Sequence, residues 1–332
     1  MLDIGKNVAI WAFGTVISLF VPISSAQAGI IYASGQRLTP AIPGVHDDIR
    51  ENFIYAIDSQ TGIATPVSPA TTGLPAALAG TRDGRLLGFA SGQLVQIDPT
   101  TANRTPLGSP NGLSSTGFDI LSDNRGFIIP LVTLEDPDGI RRTRSQQLYA
   151  LDLTSGIPTP LGSTTAAGDA IDSARGTPLG TARPFIISLG SVGNQLYGVD
   201  LNTYSLIGFN PNTADSAVIG EVGSVRSSDR SIYSGFAALT GVDTNGDGLF
   251  DTLFGNVNFI DHDNDPSTPT ERLGGIARFN LTDGTWDLVG TNPGVIFFGF
   301  GSSPASVPEP GLLLGILGVG CFGIWSRIKP KI

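Results

Sequence analysis

The phrase Ile54-Tyr55-Ala56-Ile57-Asp58-Ser59-Gln60-Thr61-Gly62 decides the fold, because it returns four more times along the chain. Its short apolar run predicts a β-strand, and the aspartate that ends the run predicts a turn. An aspartate oxygen can accept a hydrogen bond from the backbone two residues further on, and glycine tolerates the positive φ of a tight turn. Each copy of the phrase therefore predicts a β-hairpin.

The spacing of the copies indicates the architecture. The other four cover residues 94–101, 148–156, 206–213 and 275–284, and each is followed by an apolar residue and glycine. Their Asp or Asn positions are 40, 54, 58 and 70 residues apart, and periods of about 40 to 50 residues are typical of four-stranded propeller blades. The longer intervals hold a polar insertion at 135–147 and an acidic one at 240–272.

Five copies predict an all-β, propeller-like repeat domain of about five blades over residues 29–301. A last strand at 295–300 is expected to close the ring. A β-sandwich and a β-solenoid are the open alternatives. The chain has 44 Gly and 23 Pro, which interrupt almost every apolar run before it reaches helical length.

Charge and cysteine usage narrow the function. The net charge of −10 argues against a nucleic-acid partner, since such partners select basic surfaces. The single cysteine is Cys321, inside an apolar C-terminal run, so the predicted domain has no disulfide. Its stability must come from packing or from bound ions.

The N-terminus predicts export. An apolar run at 8–21 follows Lys6 and precedes Ala26-Gln27-Ala28-Gly29. Small residues at the first and third positions before the cut fit the pocket of a signal peptidase. Residues 1–28 are therefore expected to be a signal peptide, cleaved between Ala28 and Gly29.

The C-terminus has three parts in order. Pro308-Glu309-Pro310 ends a linker at 302–310, an apolar run fills 311–325, and Arg327, Lys329 and Lys331 close the chain. The fifteen apolar residues would rise about 22 Å as a helix, somewhat short of the roughly 30 Å hydrocarbon core. The basic end predicts a helix that spans the membrane, with its last residues in the cytoplasm.

This three-part tail resembles the PEP-CTERM sorting signal. The resemblance implies recognition by a membrane-embedded exosortase, which cuts near the Pro-Glu-Pro motif and passes the protein outward. It implies a precursor anchored in the inner membrane through residues 311–332, then a mature protein at the cell surface or in an extracellular biofilm matrix. A plain anchor that is never cut is the alternative.

A loop with regularly spaced oxygen side chains indicates a calcium site. It runs from Asp243 to Asp251, with glycine at its sixth position, and this pattern suits a hard cation. The twelfth position lacks the glutamate of an EF-hand. The loop instead resembles that of FG-GAP propeller repeats, which implies a structural Ca²⁺ in a peripheral hairpin. The implied ligands are Asp243, Asn245, Asp247, Leu249 through its carbonyl, and Asp251.

Few residues are available for catalysis. The only histidines are His46 and His262, and no Gly-x-Ser-x-Gly motif points to a nucleophile. A second acidic cluster at 261–265 is expected to be a solvated loop. The sequence favours a non-catalytic scaffold that binds polysaccharide or protein. The alternative is a secreted, calcium-dependent propeller hydrolase of the lactonase kind, for which acidic side chains from several blades would line the central channel.

Overall fold

The described part of the chain is an all-β propeller. The computed structural model describes residues 29–39, 49–90, 92–108, 115–135, 141–145, 147–162, 170–172, 177–179, 185–201, 203–222, 230–261 and 272–303. Within these ranges the regular secondary structure is strand, and no helix long and apolar enough to cross a membrane occurs among them. The predicted signal peptide at 1–28 and the sorting tail at 311–332 lie outside the described residues.

Five antiparallel sheets form the blades, named here in ring order. Blade 1 consists of β23 (Val295–Ser303), β1 (Ile30–Thr39), β2 (Ile49–Asp58) and β3 (Ala64–Pro66). Blade 2 consists of β4 (Ala77–Gly80), β5 (Leu86–Ala90), β6 (Gln93–Ile97) and β7 (Arg104–Leu107). Blade 3 consists of β8 (Ser115–Ile120), β9 (Gly126–Glu135), β11 (Leu148–Leu151) and β12 (Pro158–Gly162). A fifth strand, β10 (Arg141–Ser145), pairs antiparallel with the second half of β9.

The last two blades follow the same plan. Blade 4 consists of β15 (Gly190–Val192), β16 (Gln195–Asp200), β17 (Ser205–Phe209) and β18 (Ser216–Glu221). Blade 5 consists of β19 (Arg230–Val242), β20 (Thr252–Asp261), β21 (Arg272–Phe279) and β22 (Trp286–Pro293). A separate hairpin of β13 (Ala170–Asp172) and β14 (Thr177–Leu179) lies between blades 3 and 4 in the chain. The prediction of five blades is confirmed.

The repeated phrase occupies one place in every blade. It forms the third strand and the turn to the outermost strand. The Oδ1 atom of Asp58 accepts a hydrogen bond from the backbone N–H of Gln60 at 2.8 Å, and Asn210 does the same for Asn212 at 2.9 Å. The equivalent bonds at Asp98, Asp152 and Asn280 are 2.9, 2.8 and 2.9 Å long. The predicted Asx-type hairpin is thus present five times.

The ring closes through the two ends of the domain. β23 is the innermost strand of blade 1, and it pairs antiparallel with β1, so that Ser303 lies opposite Ile30. The expected closing strand at 295–300 is therefore confirmed. A closure of this kind ties the last strand to the first, so the ring cannot open without breaking a sheet.

Five apolar clusters fill the seams between neighbouring blades. The cluster between blades 5 and 1 contains Phe254, Ile276 and Phe297, and the one between blades 4 and 5 contains Leu206, Phe236 and Phe279. The other three fill the remaining seams in the same way. One core per seam is what alternating strands produce when both faces of every blade are covered.

The turns divide the molecule into two faces. Because each blade runs up and down, the turns from first to second strand and from third to fourth strand lie at the same end. These turns define what we call the turn face. Adjacent turns there are bonded to each other: the Gly193 N–H donates to the Phe250 carbonyl at 2.8 Å, and the Ser122 N–H donates to the Gly193 carbonyl at 3.1 Å. Ile30 and Ser303 lie at this face as well.

Candidate functional site

The predicted metal loop joins β19 to β20 on the turn face. β19 is the innermost strand of blade 5, so the loop lies beside the propeller axis. The expectation of a peripheral hairpin was wrong, because the sequence pattern shows that two strands flank the loop but not which strand of the blade each one is. The acidic interval at 240–272 is likewise no simple insertion, because it contains β20.

Asp243 anchors the loop from inside. Its side chain is fully buried, its Oδ1 accepts the Gly246 N–H at 2.7 Å, and its Oδ2 accepts the Gly248 N–H at 2.9 Å. Gly246 and Gly248 have φ angles of +79° and +85°, which suit glycine. These two glycines wrap the chain around one carboxylate.

The other predicted ligands lie further out. The Asn245 Oδ1 accepts the Asp247 N–H at 2.9 Å, and the Asp247 Oδ1 accepts the Leu249 N–H at 2.8 Å. Asn245, Asp247 and Leu249 are exposed. Asp251 closes the loop, because its Oδ1 accepts the Thr244 hydroxyl at 2.7 Å and its Oδ2 accepts the Asn245 N–H at 3.2 Å.

The donor types of this loop fit Ca²⁺, although its side chains do not converge. In the part of the chain that the structure describes, no three acidic, histidine or cysteine side chains are grouped so that they could hold a metal ion. Each oxygen of Asp243 accepts one N–H and retains a second lone pair. An ion there would need the exposed side chains of Asn245 and Asp247 to turn inward.

The inner strands of neighbouring blades pack closely against one another. Every described residue of β4 and β8 is buried. At Gly241 on β19 a Cβ atom would lie 1.6 Å from the Ser191 carbonyl oxygen of β15, and at Gly301 on β23 it would lie 2.8 Å from the Ala79 nitrogen of β4. Neighbouring inner strands thus approach backbone to backbone at these two positions, where a side chain would not fit.

One acidic side chain is enclosed near this ring. Asp119 on β8 is 2% exposed, and burial raises its pKa well above the ordinary value. Ser191 on β15 faces it and lowers that pKa in part. Among the inner-strand positions with described side chains, Asp119 is the only acidic residue. A channel lined by carboxylates from several blades is therefore not found in the described residues.

An open polar groove of about 860 Å³ lies on the turn face at blade 4. Its lining comes from three blades: Arg125 from blade 3, residues of the β16, β17 and β18 region from blade 4, and Leu281 from blade 5. A second cavity of about 520 Å³ shares Arg125 and Asn212 with it and extends along blade 3. The two cavities flank the turn-face hairpin of blade 4 at 210–215, which joins its third and fourth strands.

Arg125 and Asn212 form the wall between the two cavities. The Arg125 Nη1 donates to the Asn212 Oδ1 at 2.8 Å, and its Nε donates to the Asp123 Oδ2 at 2.8 Å. Sequence reasoning missed this groove. The available signal was the change from Asp at the turn anchors of blades 1 to 3 to Asn210 and Asn280 in blades 4 and 5.

Most of the other residues singled out from the sequence cannot be placed in the structure. Ala26, Ala28, Pro308, Glu309 and Pro310 lie outside the described residues, as do His46 and His262. Gly29, the expected first residue of the mature chain, is buried beside the metal loop. A Cβ atom on it would lie 2.7 Å from the Asp243 carbonyl oxygen, so a glycine is required at this contact.

Comparisons with known proteins found distant structural similarities and no family. No family model matches the chain, and no curated protein matches it either. TolB from Acinetobacter baumannii is 12% identical with a TM-score of 0.37, covering 82% of this chain and 67% of its own. A chain of a nidogen/laminin complex is 13% identical with a TM-score of 0.40, covering 84% of this chain and 99% of its own.

A protein of unknown function from Bacteroides caccae is 10% identical with a TM-score of 0.37, covering 83% of this chain and 98% of its own. Similarities at this level carry no argument about activity, partners or ligands. This chain is a five-bladed β-propeller by its own strand order and ring closure.

Proposed function

We propose that this chain is an exported, non-catalytic scaffold of the cell surface or extracellular matrix, sorted through its C-terminal tail by an exosortase. The burial of the inner strands is the observation that carries the non-catalytic part. A lactonase-like hydrolase needs a metal in an accessible channel with acidic groups from several blades. The described inner strands instead offer buried apolar and small residues and one enclosed carboxylate, Asp119.

The placement of the chain ends supports the sorting part. Because Ile30 pairs with Ser303, the leader and the tail both attach to blade 1 at the turn face. The first two residues of the predicted linker at 302–310 belong to β23, and the remaining seven extend to at most about 25 Å. A membrane-anchored precursor would therefore hold the turn face toward the bilayer, and the opposite face would point outward. After cleavage near Pro308-Glu309-Pro310, the closed propeller would be released intact.

The proposed calcium ion would stabilise the ring where it closes. It would be held by Asp243, Asn245, Asp247, Asp251 and the Leu249 carbonyl, and it would neutralise carboxylates that have no Lys or Arg in the loop. Buried Asp243 belongs to the same loop whose backbone contacts Gly29 of blade 1. Calcium binding would thus strengthen the contact between blades 5 and 1.

Cell fractionation in a bacterium that has an exosortase tests the sorting proposal. The wild-type chain is expected at the cell surface or in the medium, shortened at the tail, as shown by mass spectrometry of its C-terminal peptide. Replacing Pro308, Glu309 and Pro310 by alanine should leave a full-length chain in the inner membrane. Pro304→Ala in the linker is the matched control. If the triple variant is shortened and released like wild type, the sorting proposal is wrong.

Thermal melts of the full chain with and without chelator test the calcium proposal. At a calcium concentration one hundred times the dissociation constant, binding adds about 2.7 kcal/mol of stability. Asp247→Ala should abolish the chelator-sensitive shift in melting temperature, and Asp287→Ala, an exposed carboxylate on β22, should keep it. If calcium up to millimolar concentration leaves the melting temperature unchanged, the metal site is rejected. The sorting proposal is not affected by that result.

A further inference from the structure

The groove at blade 4 combines fixed carboxamides with an apolar edge. Asn194, Gln195, Asn210 and Asn212 contribute four amide side chains to its lining. Tyr197, Ile219 and Leu281 also line it, and these three pack against the cluster between blades 4 and 5. Concave sites that combine apolar surface with a few placed polar groups are typical of ligand sites.

Three of these amides are oriented by hydrogen bonds to neighbouring groups. Asn212 uses its Oδ1 to accept from Arg125 at 2.8 Å, which leaves its Nδ2 as a donor. Gln195 uses its Nε2 to donate to the Phe209 carbonyl at 2.5 Å, which leaves its Oε1 as an acceptor. Asn210 uses its Oδ1 to accept the Asn212 N–H. The groove therefore offers both amide donors and amide acceptors, held by these bonds in set directions.

The charges of the groove argue against an ionic ligand. Arg125, the only cation in its lining, already pairs with Asp123 at 2.8 Å. Asp215 also lines the groove, where its Oδ2 accepts the Thr213 hydroxyl at 2.7 Å. In a chain of net charge −10, this lining would repel an anion and offer a cation only one exposed carboxylate. A neutral ligand with many hydroxyl groups is favoured, since each hydroxyl both donates and accepts.

We infer that this groove binds a neutral oligosaccharide. Sugar hydroxyls pair with the Asn212 donor and the Gln195 acceptor, and the C–H face of a ring lies on Tyr197 and Leu281. The second cavity, which continues past Arg125 along blade 3, extends the groove for a longer chain. This inference rests on the proposed role as an exported scaffold, because only an exported propeller meets extracellular polysaccharide.

Screening of the full chain, purified in detergent, against immobilised neutral and acidic oligosaccharides tests the inference. At least one neutral glycan should bind, and calorimetry should show at least a tenfold loss of affinity for Asn212→Asp, which removes the donor. The matched control is Gln60→Glu, at the same turn position in blade 1 and remote from the groove. It should bind as wild type does.

Three results would overturn the inference: no neutral glycan bound at millimolar concentration, a preference for acidic glycans, or equal affinity of the Asn212→Asp variant. Circular dichroism and thermal melts must show that both variants are folded. Because the screen uses purified protein, it is independent of sorting. Loss of glycan binding with correct fractionation rejects only this inference, and normal glycan binding with failed sorting rejects only the proposed function.

Discussion

Blades 1 to 3 and blades 4 and 5 differ at the exposed edge of the outermost strand. At one equivalent position the first three blades have Pro66, Pro106 and Pro160, each opposite the third strand. The last two have Val218 and Leu288 there, and these are 45% and 42% exposed. Proline on an edge strand prevents pairing with another chain, because it has no N–H to donate.

The hydrogen-bond ladder shows that this position faces outward. In blade 1 the Val67 N–H donates to the Ile54 carbonyl at 2.8 Å, so the neighbouring Pro66 nitrogen points away from the sheet. In blade 4 the Asn210 N–H donates to the Asp215 carbonyl, and the alternation from there directs the N–H of Val218 outward as well. The edges of blades 4 and 5 are therefore open for pairing, and those of blades 1 to 3 are blocked.

The same two blades depart from the repeat in other ways. Their turn anchors are Asn210 and Asn280, where the other blades have Asp. The polar groove lies at blade 4, and the acidic loop at 243–251 joins two strands of blade 5. Functional sites are where proteins break their own structural rules. The comparison thus separates blades that mainly hold the ring together from blades that carry the candidate sites.

The largest expected effect is at the seam between blades 4 and 5. At Gly220 a Cβ atom would lie 1.7 Å from the Asp283 carbonyl oxygen of the blade 5 turn. Gly220→Ala must push two backbones apart, and we expect a loss of about 4 kcal/mol. Chemical denaturation of the full chain measures it.

Gly117→Ala is the control for this variant. A Cβ there would be 3.5 Å from its nearest neighbours in blade 4, which is ordinary contact, so its stability should change by less than about 1 kcal/mol. If both variants lose the same amount of folding stability, the close approach at Gly220 does not restrict the residue at that position more than ordinary contact does. The blade 5 turn would then tolerate displacement at its contact with Gly220.

The next effect compares two neighbouring positions on the open edge of blade 4. Val218→Pro copies what blades 1 to 3 already have, so stability should change by less than about 1 kcal/mol. Ala217→Pro removes an N–H that points into the ladder beside Gly208, which costs about 3 kcal/mol or more. Urea denaturation of both variants checks the difference.

A Val218→Pro variant as unstable as Ala217→Pro would mean that the outward position is not equivalent among the blades. The proline pattern would then reflect local backbone conformation and not protection of an edge. Leu288→Pro in blade 5 repeats the test independently, since Leu288 lies opposite Ala277 in the same register.

The sequence predicted the repeated part of the fold better than the rest. The phrase at 54–62 fixed the third strand and turn of each blade, because an apolar run, an Asx anchor and a positive φ are local requirements. The inner strands have no such repeated sequence pattern. Their lengths range from three residues in β15 to thirteen in β19, and their sequences follow how closely the blades approach and not a repeated local pattern.

The candidate site divides in the same way. The loop at 243–251 was found because its spacing is local, and its place beside the axis was missed because that depends on strand order. The groove was missed because its lining converges from three blades. Residues as distant in sequence as Arg125 and Asn212 meet there only after the ring has formed.

The smallest expected effect lies at the border between the two groups of blades. Asp119 on β8 of blade 3 faces Ser191 on β15 of blade 4, and its Oδ2 has no hydrogen-bond partner among the described residues. Burial raises its pKa well above the ordinary value, so the unfolded chain releases this proton at lower pH than the folded chain does. Stability should therefore fall as pH rises from the ordinary pKa of about 3.9 toward the raised folded value, and then level off.

Asp119→Asn removes that penalty, because a neutral amide replaces a carboxyl group that must lose a proton in a buried seam. The variant should match wild type near pH 4 and become the more stable of the two as pH increases toward 8. Asp287→Asn removes a charge that is 81% exposed and should show no such trend. Urea denaturation at intervals between pH 4 and pH 8 measures the difference. If Asp119→Asn is less stable than wild type throughout this range, the carboxylate is a structural partner that holds blades 3 and 4 together, and the border between the two groups of blades is a polar contact and not a weak point.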